Sequence, residues 1–339
     1  MSVGESSGAG AGGGAIGKQD KIFVAGHRGL VGSALCSALL ERGYRQLVTR
    51  GREELDLRDS AAVAAFYERE RPDVVFVAAA RVGGILANST YGADFLYENL
   101  QIQNSLIWGA HVAGVRRLVF LGSSCIYPRE APSPISELAL LSGPLEPTNR
   151  PYALAKIAGL ELVQSLRRQY GRDYFSVMPT NLYGPGDRYM GADSHVIPGL
   201  VQRFFLAKQA GDPEVVVWGS GRPRREFMYA RDCAAAIVLL AERLDEAVLR
   251  QSGLAPAGWS HVNVGSGEEV TIAEVAEQIA AAVGYQGRLR FDPSKPDGTP
   301  RKLVDSSVLR SLGFRPETAL REGLTATVQD YLQRAAHQA

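Results

Sequence analysis

Four side chains near the middle of the chain have the types and spacing for chemistry at a carbonyl. The apolar run Val119-Phe120-Leu121 leads into Gly122-Ser123-Ser124-Cys125, so a strand-like stretch ends in hydroxyls and a thiol. After a loop come Tyr152 and Lys156, four residues apart in helix-forming sequence, which sets a phenol and an ammonium on one helix face. A phenol of ordinary pKa, about 10, moves its proton poorly at neutral pH. A neighbouring ammonium lowers that value, and a serine hydroxyl can hold the substrate oxygen. If the two segments share a cleft, Ser123, Tyr152 and Lys156 can polarise a carbonyl and protonate its oxygen. Cys125 would sit at the same strand end, where a nearby ammonium or protonated imidazole favours its thiolate. The plainer reading of a cysteine after a strand is a small buried apolar residue. Tyr-x-x-x-Lys alone arises by chance in many helices.

What must position these groups is a layered sheet. Lys21–Ala25 is a short β-rich run that feeds Gly26-His27-Arg28-Gly29-Leu30-Val31-Gly32, and a helix over Ser33–Arg42 ends at Gly43. Strands are expected at Gln46–Arg50, Val74–Ala80, Arg117–Gly122 and Tyr174–Met178. Helices are expected at Ser60–Glu70 with Ser60 as its cap, within Tyr91–Ala113, and at Pro151–Tyr170. The unbroken apolar run Val74–Ala80 marks a strand buried on both faces. This alternation predicts an α/β fold, a Rossmann-type doubly wound parallel sheet over 20–180 with later segments returning to it. After Asn181 the pattern breaks into short strands (Val215–Trp218, Phe227–Tyr229, His261–Val264, Arg288–Phe291) and helices (Ala230–Glu242, Thr271–Val283, Leu320–Ala335). We read 181–339 mainly as a smaller α+β substrate lobe. The Gly-rich residues 1–19 are expected to be a disordered tail.

Gly26, Gly29 and Gly32 lie between a strand and a helix, the context a dinucleotide loop requires. The first permits a tight turn, the second lets a pyrophosphate approach, and the third lets the helix pack on the sheet. The helix start then offers free N–H groups to phosphate. The second strand ends Thr49-Arg50-Gly51-Arg52, with no acid at its tip, and Arg28 adds a further guanidinium. Guanidinium forks suit the extra phosphate of NADPH over the bare ribose of NADH. Asp56 and Leu57 are placed beside the adenine.

Composition narrows the function further. The 339 residues carry a formal net charge of +1, which gives no support to a nucleic-acid or membrane partner. Apolar runs are too short to span a bilayer. Three cysteines are too few and too odd in number for a disulfide scaffold, so a reducing, cytoplasmic setting is expected. No metal-ligand cluster stands out, and no metal is expected.

These motifs together resemble the extended short-chain dehydrogenase/reductase superfamily. Gly26–Gly32, Gly122–Pro128, Pro147–Asn149, Met178–Pro185, Ser194–Pro198 and Lys295–Lys302 resemble, more narrowly, the GDP-L-fucose synthase family, over about residues 20–335. The resemblance implies one site with two chemistries on GDP-4-keto-6-deoxy-D-mannose: epimerisation at C3 and C5, then reduction at C4 by NADPH. It makes Cys125 the base and His195 the acid of the epimerisation, although a histidine before a helix is otherwise most often a cap or surface residue. It implies that Lys156 reaches the nicotinamide ribose and that Pro179, Asn181, Leu182 and His195 line the cofactor, Asn181 also facing substrate. Arg203, Trp218, Arg225 and Lys295 become candidates for the GDP-sugar. On bland readings Arg225 only pairs with Glu226 or Asp232, and Trp218 is core. Asn99 is expected to bond main chain near the site and to order Lys156. The helices around Tyr91–Ala113 and Pro151–Tyr170 form a four-helix homodimer interface in the superfamily. Departures from the family pattern lie at Gly186–Asp193, Tyr229–Asp232, Arg81 and Arg150. Two other readings are a cofactor-recycling nucleotide-sugar epimerase or dehydratase, and a non-catalytic scaffold. Ser124-Cys125 stands where a dehydratase carries an acid, and the arginines speak against tightly held NAD.

Overall fold

The computed structural model describes residues 15–189, 194–295 and 297–338. In chain order its first half holds β1 (Ile22–Ala25), α1 (Leu30–Glu41), β2 (Leu47–Val48), α2 (Ser60–Glu70), β3 (Val74–Val77), α3 (Ile85–Thr90), α4 (Gly92–Val112), β4 (Arg117–Leu121), α5 (Arg150–Tyr170) and β5 (Asp173–Pro179). There follow β6 (Asn181–Tyr183), α6 (Val196–Ala210), β7 (Glu214–Trp218), β8 (Arg224–Tyr229), α7 (Ala230–Arg243), α8 (Glu246–Gln251) and β9 (His261–Val264). The chain ends with β10 (Glu269–Thr271), α9 (Ile272–Val283), β11 (Arg288–Asp292), β12 (Arg301–Lys302), α10 (Ser307–Ser311) and α11 (Leu320–Gln338).

The large sheet has the order β2-β1-β3-β4-β5-β9, every pairing parallel. Alternate residues of its strands feed two cores, because successive side chains of a strand point to opposite faces. Val24, Phe76, Val119, Leu121 and Val177 pack with Leu35 and Leu39 of α1 and Ile237 and Leu240 of α7. Phe23, Val75, Val77, Leu118 and Phe120 pack with Phe66 of α2, Leu106 of α4 and Leu160 of α5. This is the doubly wound arrangement expected from the apolar runs. β9 is one of the later segments that return: it lies beside β5 at the sheet edge with all four residues buried.

The second lobe centres on β8, which pairs with β6, β10 and β12. The pair β7–β11 and helices α6, α9 and α11 enclose a third core around Phe204, Ile279 and Val328. Two expectations need correction. The cap of α2 is Asp59 and not Ser60, since the Asp59 carboxylate accepts from the N–H groups of Ala61 and Ala62 at 2.9 and 3.1 Å. The expected tail over 1–19 also does not extend that far. Ile16 is buried in the first core, its N–H reaching Ala241 O and its carbonyl accepting from Tyr44 Oη. An isoleucine after the glycine run has apolar area to bury, which the glycines lack. Residues 1–14 lie outside the described residues.

Candidate active site

β4 and α5 bring the four central side chains together. Gly159 lets α5 lie against the sheet, for a Cβ there would stand 2.6 Å from the Phe120 ring. One turn earlier on the same helix, Lys156 is buried over that ring, its Nζ 4.8 Å from the centroid, and donates to Leu121 O at 2.7 Å. Its Nζ also lies 5.8 Å from the Tyr152 ring. Burial pulls the ammonium pKa down to about 8, with the Cys125 thiol acting in the opposite sense. Burial raises the Tyr152 phenol well above its ordinary value, and Cys125 adds to that. The phenol therefore rests protonated, as a proton donor must.

Ser123 and Cys125 occupy a tight turn after β4. Ser123 Oγ accepts from Cys125 N–H at 3.3 Å, and Ser124–Ile126 forms a short helical turn. The Cys125 side chain is buried, and burial raises its pKa; Lys302, the Ser123 hydroxyl and Lys156 oppose this, in that order. At rest it is a thiol with two ammonium groups ready to stabilise the thiolate. Lys302 is the contribution that spacing could not show, because β12 comes far later in the chain and reaches the site by pairing with β8. The turn is held from below: Tyr127 Oη donates to Asn263 Oδ1 at 2.6 Å.

The glycine loop has the geometry of a phosphate cradle. Gly26 has φ of +90°, and a Cβ on it would stand 2.6 Å from Ala79 N. A Cβ on Gly32 would collide with Gly26 O, while Gly29 meets nothing nearer than Gly26 O at 3.4 Å and lies open at the start of α1. His27, Leu30 and Val31 are half-buried beside it. Partial burial and Arg28 hold His27 below its usual pKa. Arg28 is exposed and pairs with Glu53 at 2.8 Å. Arg52 is exposed and donates to no acceptor among the described residues. Arg50 turns away, its Nη2 2.6 Å from Glu70. That carboxylate, on α2, draws it out of any phosphate site. Asp56 accepts from Arg58 through both oxygens, at 2.6–3.2 Å, and is lowered to about 2 mainly by that bond; Leu57 beside it is half-buried. The loop, the free N–H groups of α1 and the outward guanidiniums fit a dinucleotide with an extra phosphate.

At the substrate end, Trp218 is 56% exposed and so is not core. Arg203 lies 6.0 Å and Lys295 Nζ 5.6 Å from its ring, and Arg203 also donates to Val216 O at 2.7 Å. Arg203 and Trp218 rim a groove of about 370 Å³ with Leu206 and Val215. Arg225 bonds the carbonyls of Arg224 and Asp297, not the carboxylates of Glu226 or Asp232. Asp297, absent from the candidate set, accepts from Ser220 N and Oγ at 2.6 and 2.7 Å and so holds the turn after Trp218. Asn181 Nδ2 donates to Glu226 O at 2.9 Å, between buried Pro179 and half-buried Leu182. Asn99 bonds Arg81 N and O at 2.9 and 3.0 Å; Lys156 is instead ordered by Leu121. His195 opens α6 with an exposed side chain and makes no cap bond. Burial raises the pKa of Asp187, and the Arg188 N–H that it accepts from opposes this. Met190–Asp193 of the atypical run lie outside the described residues.

The model of the NAD dependent epimerase/dehydratase family matches residues 22–265. The chain is 53% identical over 315 residues to GDP-L-fucose synthase of Escherichia coli (strain K12), spanning 93% of this chain and 97% of the relative. It is 52% identical over 320 residues to GDP-L-fucose synthase 1 of Arabidopsis thaliana, spanning 94% and 95%. The solved structure of a GDP-L-fucose synthetase from Naegleria fowleri bound to NADP superposes with a TM-score of 0.84 at 28% identity, covering 95% of this chain and 97% of the other.

Proposed function

Since the chain belongs to the NAD dependent epimerase/dehydratase family, we propose that it converts GDP-4-keto-6-deoxy-D-mannose to GDP-L-fucose, by 3,5-epimerisation followed by reduction at C4. The observation that carries this reading is the thiol of Cys125 beside Ser123, Tyr152 and Lys156 at the end of β4. A plain reductase needs the last three alone; a buried thiol flanked by two lysines adds a base.

The C4 carbonyl acidifies the protons on C3 and C5. Ser123 holds its oxygen and stabilises the enolate charge that forms there. Cys125 takes a proton as thiolate, supported by Lys302 and Lys156, and His195 returns one to the opposite face. NADPH, when bound, supplies the hydride for C4; Gly26 to Gly32, Arg28 and Arg52 are the residues that fit it. Tyr152 gives its proton to the C4 oxygen, and the Lys156 ammonium offsets the phenolate left behind. Pro179, Asn181 and Leu182 would line the cofactor, and Asp56 and Leu57 would border its adenine. Arg203, Trp218, Arg225 and Lys295 take the GDP moiety, Trp218 through its ring face and the cations through phosphate.

We read the assembly as a homodimer through α4 and α5, whose surfaces carry Tyr97, Trp108, Val112, Leu154 and Tyr170, all exposed. We assign the chain to the cytoplasm on its three unpaired cysteines. No helix among the described residues is long and apolar enough to cross a membrane.

The test is to mix the protein, NADPH and GDP-4-keto-6-deoxy-D-mannose and follow nicotinamide absorbance with product analysis. Oxidation of NADPH with formation of GDP-L-fucose is expected. No oxidation, or a product with unchanged C3 and C5, would sink the proposal.

A further inference from the structure

Glu226 is a fully buried carboxylate on β8, 0% exposed, and pairs with no cation among the described residues. A charge so placed is costly unless main-chain donors satisfy it. Here they do. Its Oε1 accepts from Gly267 N–H at 2.7 Å and its Oε2 from Val304 N–H at 3.0 Å. Its own carbonyl accepts from Thr180 Oγ1 at 3.1 Å and Asn181 Nδ2 at 2.9 Å. Gly265 leaves the space for it, since a Cβ there would strike Oε1. Its carboxylate thus joins the turn between β9 and β10 to the segment just after Lys302, and its main-chain carbonyl meets the end of β5.

That strand matters to the site. Lys302 pairs in register with Arg225, the neighbour of Glu226. On its far side the same segment is held by Ile135, whose N–H donates to Leu303 O and whose O accepts from Asp305 N–H, both at 2.8 Å. Glu226 supplies the only side-chain bond to the backbone of 302–304 among the described residues. The placement of Lys302 therefore depends on the Glu226 carboxylate, while Asn181 is held by the main-chain carbonyl of the same residue.

We propose that Glu226 is a positioning residue for the proton-exchange half of the reaction, its carboxylate holding Lys302 in register with the Cys125 turn. It does not touch substrate. The inference rests on the base role of Cys125 given above. Glu226→Gln keeps one acceptor and turns an amide donor toward the other N–H, so one anchor is lost without a change of volume.

The experiment measures solvent deuterium entry at C3 and C5 of GDP-4-keto-6-deoxy-D-mannose with NADP+ present. It compares wild type, Glu226→Gln, Lys302→Met and the double variant. Glu226→Gln should lower kcat for exchange at least tenfold while KM and the dissociation constant for NADPH stay within about twofold. In the Lys302→Met background the same change should cost less than threefold, because its route to Cys125 is already cut. Full additivity of the two losses, or an equal fall in exchange and NADPH binding, would make Glu226 merely structural and overturn the proposal. If Glu226→Gln does not fold, Glu226→Asp carries the same cycle. Failure of the underlying reading looks different: Cys125→Ser would then exchange at the wild-type rate.

Discussion

Replacing Glu137 by glutamine should flatten the stability of this protein against pH. Glu137 is 3% exposed in a short turn, and its Oε1 accepts from Asn263 N–H at 2.9 Å. Asn263 in turn receives the Tyr127 hydroxyl, so the carboxyl sits in the network beneath Cys125. Burial raises its pKa from 4.5 to about 7, with Asp305 adding to it. A folded value above the unfolded one means that the folded state binds more protons between pH 4.5 and 7. Stability from this group is whole below pH 4.5, falls as pH rises through the window, and is lost above 7. At about 1.4 kcal/mol per pKa unit the loss is about 3 kcal/mol. Glutamine keeps the acceptor for Asn263 and cannot ionise. Glu137→Gln should therefore exceed wild type by about 1 kcal/mol at pH 5, rising to about 3 kcal/mol at pH 8. Buried His261, lowered to about 4, contributes a rise in stability from pH 4 to 6.5, but it does so in both proteins and cancels in their difference. Urea unfolding followed by tryptophan fluorescence at pH 5, 6, 7 and 8 measures this. Equal differences at all four pH values would refute the burial argument.

Two further outcomes follow from the site. Arg52→Ala should weaken NADPH at least about tenfold and leave NADH unchanged, a loss of one charge-assisted contact; unchanged preference in paired titrations would remove Arg52 from the phosphate site. Tyr152→Phe removes the proton for the C4 oxygen and should lower NADPH oxidation by about a hundredfold or more, while deuterium still enters at C3 and C5. Loss of both together would show that the hydride and proton steps do not divide between Tyr152 and Cys125 as proposed.

The parts readable from order and spacing are those whose physics is local. An i,i+4 pair shares a helix face whatever surrounds it, so Tyr152 and Lys156 fall together on α5. A run such as Val74–Val77, apolar at every position, can only lie in a sheet covered on both sides. Gly26 and Gly32 stand where a Cβ would strike the backbone at a strand-to-helix turn. What tertiary structure decided depends on burial and on partners far apart in the chain. Arg50 had the right type and place for a phosphate, but Glu70 on α2 claims it. The link between Lys302 and Glu226 gave no local signal, because only the pairing of β12 with β8 brings their segments together. Ile16 has apolar area that finds a core only once α7 is in place. The resting protonation of Cys125 is of the same kind. The order Gly122-Ser123-Ser124-Cys125 puts a thiol at a strand end; the depth of that end and the two lysines around it decide what the thiol can do.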